Sequence, residues 1–477
     1  MTSSDTTLHP YLCIIGAGSG GLSVAAAAAQ LGVDTVLIER GRMGGDCLNY
    51  GCVPSKSLIA AAHAAHAARH ADRFGIAAGA PNADFARVRD HVQGVIADIA
   101  PHDSQERFEG LGATVLRETA AFTGRDQVQA GPIRIRAKRF VIATGSSPIA
   151  PPVPGLDQVP YFTNETIFDN DVRPEHLLVL GGGPIGCELA QAHRRLGCEV
   201  TVVQRGRLLH RDDPDLAQVV ARRFQEEGIA VIEGAAVTSA AGTDGGIRLA
   251  VQDAEGTRDV TGTHLLVAAG RRANVEDLNL DAAGIRCNRK GIEVDDGLRT
   301  SNRRVYAIGD VIGRLQFTHI AGYHAGIVVR RALFRLPARV NEAAAPWVTY
   351  TDPEIAQVGL NEPTARERFG DRVRVVEMPV GGNDRFRAER ETEGLIKVIV
   401  HRGRVVGASM VGVHAGELIQ PWCLMATHRM KIGQMTSAIL PYPTRGEINK
   451  QVAGSYFTPA LFGPRTRKIV GLLTRLG

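Results

Sequence analysis

The feature that most constrains the fold is a strand, a glycine-rich loop and a helix that follow one another twice in the chain. The first copy runs from the apolar strand Leu12–Ile15 through Gly16–Gly21 into an alanine-rich helix. The second runs from Leu177–Leu180 through Gly181–Gly186 into a helix that ends at Leu196. Each copy is completed by a second strand within about 30 residues, which is the context that a dinucleotide-binding fingerprint requires.

The glycines of such a loop have distinct physical tasks. The first permits the tight turn, the second lets backbone N–H groups reach a pyrophosphate, and the third lets the helix pack closely on the strand. The positive end of the helix dipole then faces the phosphates. The two copies therefore predict an α/β protein with two Rossmann-like dinucleotide-binding domains.

Proline and arginine clusters indicate where these domains begin and end. The proline-rich stretch Pro148–Pro160 interrupts regular structure, and a second boundary is expected near Arg271–Asn274. A third follows Pro337, after which a β-rich run begins around Trp347–Val358. The remainder mixes strands with helices and predicts a C-terminal α+β domain.

Charge and composition exclude several classes of function. A net charge of +5, from 55 basic and 50 acidic residues, does not indicate a nucleic-acid partner. The segment Met1–Pro10 has no signal-peptide pattern, and the alanine run Val24–Gln30 is too short to cross a bilayer. Seven scattered cysteines do not resemble a secreted disulfide framework. We expect a cytoplasmic protein without membrane insertion.

The segment Gly44–Lys56 carries the most specific chemical signal. Cys47 and Cys52 can close a small disulfide at the start of a helix, and Lys56 lies one helical turn beyond Cys52. A helix N-terminus and a nearby cation both favour the reactive thiolate form. A pair of buried free thiols is the plainer alternative. A zinc site needs further cysteine or histidine ligands at suitable spacing, so we predict no metal site.

The run Cys-x4-Cys-Val-Pro-Ser-Lys resembles that of the class I flavoprotein disulfide reductases, which include glutathione reductase, dihydrolipoamide dehydrogenase and mercuric reductase. The resemblance covers nearly the whole chain. Its other marks are the two glycine loops and the following segments: Ala143-Thr144-Gly145, Gly270-Arg271 and Val305–Asp310.

The resemblance implies the domain layout and the FAD site. FAD would occupy a discontinuous domain of residues 1–151 and 274–345, with NAD(P)H on residues 152–273 and dimerisation through residues 346–477. Glu39 would hold the adenosine ribose, Asp310 the ribityl chain, and Ala120 the adenine edge. The complete set of predicted FAD-binding residues is Gly16, Gly18, Ser19, Gly20, Gly21, Glu39, Gly45, Asp46, Lys56, Ala120, Thr144, Gly145, Asp310, Thr318 and His319.

The resemblance also implies the route of the electrons. Hydride would pass from nicotinamide to flavin beside a Lys56–Glu188 pair, Cys52 would be the sulfur nearest the flavin, and Cys47 would meet the substrate. The predicted nicotinamide-binding residues are Gly181, Gly183, Ile185, Gly186, Glu188, Gln204, Arg205, Arg207, Gly270 and Arg271.

The choice of nicotinamide is predicted from the end of the second strand in the second copy. An acidic residue there binds the ribose diol of NAD, whereas basic residues accept the additional phosphate of NADP. The chain has Gln204, Arg205 and Arg207 and no carboxylate at this place. We therefore expect NADPH, with NADH possible. Two solvent-facing arginines without a ligand are the alternative.

The chain departs from the family pattern near its C-terminus. The family has a histidine there, supplied by the partner subunit as acid/base, with a glutamate five residues later. This chain keeps Glu447 but has Tyr442 in place of the histidine. A phenol with an ordinary pKa near 10 is a poor base at neutral pH. Tyr442 is therefore predicted either to join the site or merely to pack beside proline.

A tyrosine at this place is similar to mercuric reductase, but the paired C-terminal cysteines of that enzyme are missing, since the last cysteine is Cys423. The sequence thus predicts a mercuric-reductase-like homodimer that reduces a small disulfide or another thiol-reactive oxidant. Alternatives are a flavin-centred diaphorase acting on metal ions or quinones, and a dihydrolipoamide-dehydrogenase-like subunit of a complex. The basic, apolar tail Phe462–Gly477 is expected to dock on its own dimer or to touch a membrane or a partner.

Overall fold

The computed structural model describes residues 6–79 and 81–476. Residues 1–5, which begin the polar N-terminal stretch, and Gly477, which ends the tail, lie outside the described residues. The chain forms two compact units. The first comprises the chain up to Gly181 together with Ala192–Val203 and Ala235–Val340; the second comprises Gly182–Gln191, Gln204–Gly234 and the chain from Asn341 onward.

A five-stranded parallel sheet forms the centre of the first unit. Four of its strands are buried on both faces, which explains why they are nearly continuous apolar runs rather than alternating ones. In spatial order they are Val305–Ala307, Arg139–Ile142, Leu12–Ile15, Thr35–Ile38 and Thr114–Leu116. The first strand–loop–helix prediction is confirmed, with its helix at Ser19–Gln30.

Helices cover this sheet and carry the cysteine segment. Ser19–Gln30 packs against Thr318–Ala332, and Phe85–Ile99 packs against the long helix Cys52–Arg69. The short helix Gly45–Asn49 precedes the long one. A smaller sheet adds the strands Thr7–Leu8, Ile133–Ile135, Gln127–Ala130 and Ala120–Gly124.

The second glycine loop also follows a buried parallel strand. His176–Leu180 lies between Glu199–Val203 and His264–Val267, and all three strands run parallel. The helix after the loop is Pro184–Arg195, which is one residue shorter than expected. An antiparallel meander follows, formed by Ala236–Thr243, Gly246–Asp253 and Gly256–Gly262. The residues Ser146–Pro148 pair with Arg271–Ala273.

The C-terminal part of the second unit is a five-stranded antiparallel sheet with helices, as expected of an α+β domain. Its strands, in spatial order, are Pro346–Thr349, Glu354–Gly359, Arg404–Gly412, Leu395–His401 and Val373–Pro379. Its longer helices are Glu362–Phe369, Gln420–Thr427 and Glu447–Ser455. Trp422 is fully buried in this core and donates its indole N–H to Asn449 at 2.7 Å.

Two helices complete the chain, Thr458–Leu461 and Pro464–Leu473. Within the described ranges, no helix is both long and apolar enough to cross a membrane.

Candidate active site

The cysteine segment is attached directly to the first glycine loop. The Gly44 N–H donates to the Ala17 carbonyl at 2.9 Å, and Gly44 and Gly45 both have positive φ angles of 89° and 61°. A Cβ on Gly45 would lie 2.7 Å from the Cα of Gly18. Glycine at position 45 thus lets the two backbones approach closely. This contact fixes the position of Cys47 relative to the loop.

The two cysteines are free thiols that share one hydrogen bond. Cys47 lies in the short helix Gly45–Asn49 and is half-buried, whereas Cys52 is the first residue of its helix and is exposed. The Cys47 S–H donates to Cys52, and this bond is the main reason that the pKa of Cys52 falls to about 6. As the donor of that bond, and because it is partly buried, Cys47 has a raised pKa.

Two further groups stabilise the Cys52 thiolate. The Thr318 hydroxyl lies 3.4 Å from the Cys52 sulfur, and the Lys56 ammonium contributes attraction from one helical turn away. Burial opposes both effects but is outweighed. The N-terminus of an 18-residue helix favours an anion at the same position. The pair therefore holds one proton, on Cys47, and one negative charge, on Cys52.

A polar network connects the cysteine segment to the predicted ribityl-binding carboxylate. Arg271 forms an ion pair with Asp46 at 3.0 Å, next to Cys47 in the chain. The same guanidinium donates to the Ser146 hydroxyl at 2.8 Å, and that hydroxyl donates to Asp310 at 2.6 Å. Burial raises the pKa of Asp310, while the Ser146 hydrogen bond opposes the rise. These groups lie far apart in the sequence and meet only in the fold.

Asn164 joins this network and was not anticipated from the sequence. Its amide donates to Asp46 at 3.2 Å and to the Tyr50 carbonyl at 3.0 Å, and it accepts from Arg271 at 3.3 Å. No motif surrounds Asn164, so nothing in the sequence could have indicated it. Ser146 was also missed, although it directly follows Thr144-Gly145. Arg271 contacts Asp46, Ser146 and Asn164, close to the cysteine segment. Its predicted role in binding the nicotinamide stays a prediction.

The first glycine loop has the shape and the donors to hold FAD. A Cβ on Gly21 would lie 1.8 Å from the Gly16 carbonyl, and one on Gly16 (φ +105°) would lie 2.4 Å from the Ala143 carbonyl. The N-cap of the helix Ser19–Gln30 is Gly18, which has no side chain to accept a hydrogen bond from the first N–H groups. Those donors are therefore suited to a diphosphate.

Glu39 lies at the end of its strand beside this loop. Its carboxylate accepts N–H bonds from Ala17 and Gly41, both at 2.6 Å. These bonds orient the acid at the place expected for a ribose diol. The residues present thus fit FAD.

The remaining predicted FAD residues lie in the same unit. The Thr144 hydroxyl donates to the Asn274 carbonyl at 2.7 Å, and Gly145 has a φ of +70°. Thr318 and His319 begin a helix and are exposed, while Ala120 is buried at the start of its strand. Gly20, next to Ser19, is packed against Ile308.

The second glycine loop repeats the geometry of the first. Gly181 has a φ of +119°, and a Cβ there would lie 2.4 Å from the Ala268 carbonyl. The Gly182 N–H donates to the Gln204 side-chain oxygen at 2.8 Å, so the side chain of Gln204 holds the loop. Gly183 has open space around its missing Cβ. The next residues, Ile185 and Gly186, lie in the helix Pro184–Arg195, and Ile185 is exposed. Gly270, which is also among the predicted nicotinamide-binding residues, has a φ of +149°.

The arginines after Gln204 differ in their surroundings. Arg205 is exposed. Arg207 is held by a hydrogen bond from one amino group to the Asp212 carbonyl at 3.1 Å. Its other amino group is buried and has no hydrogen-bond partner among the described residues. Such a group is costly unless a ligand satisfies it.

Lys56 and Glu188 belong to different compact units, so their predicted pairing stays a prediction. The carboxylate of Glu188, which is buried, accepts the Tyr350 N–H at 2.9 Å. The Lys56 ammonium donates to the Ser55 hydroxyl at 3.3 Å.

Tyr442 lies in the second unit and is 68% exposed. Its hydroxyl donates to Asp384 at 2.9 Å, and the nearby carboxylate raises the pKa of Tyr442. At neutral pH the phenol is consequently deprotonated even less often than its ordinary pKa implies. Glu447 is the first residue of the helix Glu447–Ser455. Among the described residues, no three histidine, cysteine or acidic side chains cluster to hold a metal ion.

The family follows from two sequence matches. Residues 10–325 match the family described as pyridine nucleotide-disulphide oxidoreductase, and residues 345–453 match the dimerisation domain of that family. The chain belongs to the pyridine nucleotide-disulphide oxidoreductases. It is therefore an FAD-dependent enzyme that uses a pyridine nucleotide, and its dimerisation domain supports a homodimer.

Its relatives carry the names of different enzymes. A mercuric reductase from Streptomyces lividans is 35% identical over 454 residues, which cover 93% of this chain and 96% of that protein. A dihydrolipoyl dehydrogenase from Chlamydia muridarum is 33% identical over 472 residues, which cover 95% of this chain and 98% of that protein. Among solved structures, the Cu(II) complex of the HOCl-induced flavoprotein disulfide reductase RclA from Escherichia coli has a TM-score of 0.84 at 26% identity, covering 92% of this chain and 98% of RclA.

These matches confirm the predicted family and fold class, including the resemblance to mercuric reductase. They are also consistent with electron transfer to a disulfide, while the names of the relatives differ in the substrate.

Proposed function

We propose that this oxidoreductase moves electrons from NADPH through FAD to the Cys47–Cys52 disulfide and on to a small thiol-reactive oxidant. The observation that carries the proposal is the position of the pair, with Cys47 in the short helix, Cys52 at the start of the next helix and the Thr318 hydroxyl 3.4 Å from the Cys52 sulfur; the lowered pKa of Cys52 and the raised pKa of Cys47 agree with it. Bound FAD supplies a carrier that takes a hydride from the nicotinamide and passes an electron pair to the disulfide. The first glycine loop, Glu39 and Asp310 would hold and orient this group.

Cys47 and Cys52 then have different roles in the reduction of the substrate. Two electrons and one proton convert the disulfide into the Cys52 thiolate and the Cys47 thiol. With a disulfide substrate, Cys47 loses its proton and attacks one substrate sulfur, which releases the first product thiolate. Cys52 next attacks the Cys47 sulfur, re-forms the internal disulfide and releases the second product thiolate.

This route needs a group that takes the proton of Cys47, and the chain lacks the usual histidine. Tyr442, with a raised pKa, is a hydrogen-bond donor rather than a base. We propose that in the homodimer it donates a hydrogen bond beside the partner subunit's Cys47. Slow turnover with glutathione disulfide or lipoamide follows, which also argues against a dihydrolipoamide dehydrogenase-like role.

A soft metal ion is the second candidate oxidant, because the Cys52 thiolate can bind one without a base. The names of the mercuric reductases and of the Cu(II) complex of RclA support this candidate. With Cu(II), the pair would return to the disulfide, release the proton of Cys47 and give one electron to each of two copper ions. The metal is then substrate, and no resident metal site is required.

An anaerobic titration tests the redox centre. One equivalent of NADPH should give a long-wavelength charge-transfer absorbance between thiolate and flavin. Cys52→Ser should not show this absorbance, whereas Cys47→Ser, which has no disulfide to reduce, should show it before NADPH is added and lose it when NADPH reduces the flavin itself. Turnover with glutathione disulfide, lipoamide, Hg(II), Cu(II) and a quinone then ranks the oxidants. Full turnover of both serine variants with the best oxidant would refute the disulfide route and favour a flavin-centred diaphorase.

NADPH is proposed because Arg205 and Arg207 follow the end of the strand Glu199–Val203, where basic residues suit an additional phosphate, and no carboxylate occupies the position of Gln204. Arg205→Ala should raise the KM for NADPH roughly tenfold, the effect of one lost charge-assisted bond, and leave that for NADH unchanged. Arg211→Ala, a nearby exposed arginine, is the matched control. Equal KM values for both nucleotides in the parent enzyme would contradict the proposal. We also propose a cytoplasmic location, because reduced thiols suit that compartment.

A further inference from the structure

The C-terminal tail, defined as Thr458–Leu476, presents apolar side chains that no part of the described chain covers. It follows the last residue matched by the dimerisation domain, at position 453. The preceding helix, Glu447–Ser455, buries Ile448 and Val452 in the core. In the tail, by contrast, every large apolar side chain is more than half exposed: Leu461, Phe462, Ile469, Val470, Leu472, Leu473 and Leu476.

These side chains form a stripe at helical spacing. Ile469, Leu472, Leu473 and Leu476 are separated by three, one and three residues, which places them on one side of a helix. The helix Pro464–Leu473 holds the first three of them, and Leu476 follows after one turn. An apolar stripe of this kind is stable in water only when something covers it.

The charges of the tail indicate what covers it. The tail carries four basic residues and no acidic one; the basic residues are Arg465, Arg467, Lys468 and Arg475. By helical spacing, Arg467 lies opposite the apolar stripe, Lys468 and Arg475 lie along one flank of it, and Arg465 lies at its N-terminal end. The combination of an apolar face and a purely basic face matches a surface that is apolar inside and negatively charged outside.

We propose that the tail binds the surface of an anionic phospholipid membrane, with the apolar stripe in the headgroup–acyl boundary and the basic residues among the phosphates. The helix of 10 residues is far too short to span a bilayer, so the enzyme lies on the surface. A homodimer carries two tails, and the second binds at a high effective concentration once the first is attached.

A second copy of the chain is a less suitable cover. If the tails lay on the two-fold axis, each would face an identical tail, and four positive charges would oppose four others. Charge repulsion would then offset the free energy gained by burying the apolar side chains. On an anionic membrane, by contrast, apolar burial and charge attraction both favour binding. The proposal does not depend on the identity of the oxidant or of the nicotinamide.

Vesicle flotation of the full-length holoenzyme tests the proposal. The probes are vesicles of phosphatidylcholine with 30% phosphatidylglycerol (about one anionic lipid in three), and vesicles of phosphatidylcholine alone. The enzyme should float with the anionic vesicles and stay behind with the neutral ones. Roughly 1 M salt, where the Debye length is about 3 Å, should weaken the binding.

Variants separate the two faces. Leu472→Asp with Leu473→Asp should lower binding more than tenfold. Lys468→Gln and Arg475→Gln should each lower binding to anionic vesicles roughly fivefold. Val172→Asp replaces an equally exposed residue of the first unit and should leave flotation unchanged. Flavin content and turnover with a soluble acceptor should remain normal in all of them, which excludes misfolding as the cause.

Three results would overturn the proposal. The first is absence of flotation, and the second is equal flotation with neutral and anionic vesicles. The third is a combination of two observations: the parent enzyme does not bind vesicles, and the Leu472/Leu473 double variant is a monomer in light scattering where the parent enzyme is a dimer. The tail would then pack against a second copy of the chain.

Discussion

Replacement of Thr318 by valine should make the Cys52 thiolate less stable by a predictable amount. In the structure the pKa of Cys52 is about 6, so roughly ten thiolates exist for each thiol at pH 7. Thr318 donates one hydrogen bond to this sulfur at 3.4 Å. A hydrogen bond to a charged group contributes about 1.5–3 kcal/mol, and the lower value applies because Cys52 is exposed.

Since about 1.4 kcal/mol corresponds to one pKa unit, Thr318→Val should raise the pKa of Cys52 to roughly 7. The thiolate fraction at pH 7 would then fall from about nine tenths to about half. The measurement is a pH titration of the two-electron-reduced holoenzyme, in which the charge-transfer absorbance reports the thiolate. Thr318→Ser keeps the hydroxyl and should keep a midpoint near pH 6.

Two results would refute this reasoning. If Thr318→Val and the parent enzyme titrate with the same midpoint, the hydroxyl does not stabilise the anion. If the absorbance of the parent enzyme appears only above pH 8, Cys52 is not the low-pKa sulfur. The other six cysteines all have raised pKa values, so they do not obscure the titration.

Three further changes test other parts of the molecule. Burial and neighbouring carboxylates raise the pKa of Glu354 to about 7, so folding retains a proton there and stability declines as pH rises from about 4.5 to 7. Glu354→Gln should therefore gain on the order of 1–2 kcal/mol in urea unfolding at pH 8 and little at pH 4; no gain at pH 8 would contradict this. Gly21→Ala forces a backbone shift in the first glycine loop and should yield protein without flavin absorbance, whereas Gly94→Ala, which has open space, should purify yellow. Arg271→Gln leaves Asp46 without its cation and should cost about 2 kcal/mol in thermal unfolding, with partial recovery in Arg271→Lys; an unchanged melting midpoint would show that the network is not stabilising.

Much of the fold was predictable because its signals are local. A buried strand, a glycine turn and a helix occupy about 30 consecutive residues, and each glycine is required by neighbours in the same motif. The β-rich run expected around Trp347–Val358 was found as the strands Pro346–Thr349 and Glu354–Gly359. Helix and strand ends were less certain because capping depends on packing.

The sequence by itself determined the two dinucleotide loops, the reactive pair Cys47–Cys52 and the loss of the histidine at position 442. Tertiary structure alone decided which sulfur carries the charge. The pKa of Cys52 depends on Thr318, 266 residues away, and on the direction in which Cys47 donates its proton. The network of Asp46, Asn164 and Arg271 was likewise invisible, since electrostatic interactions depend on distance in space and not on separation along the chain.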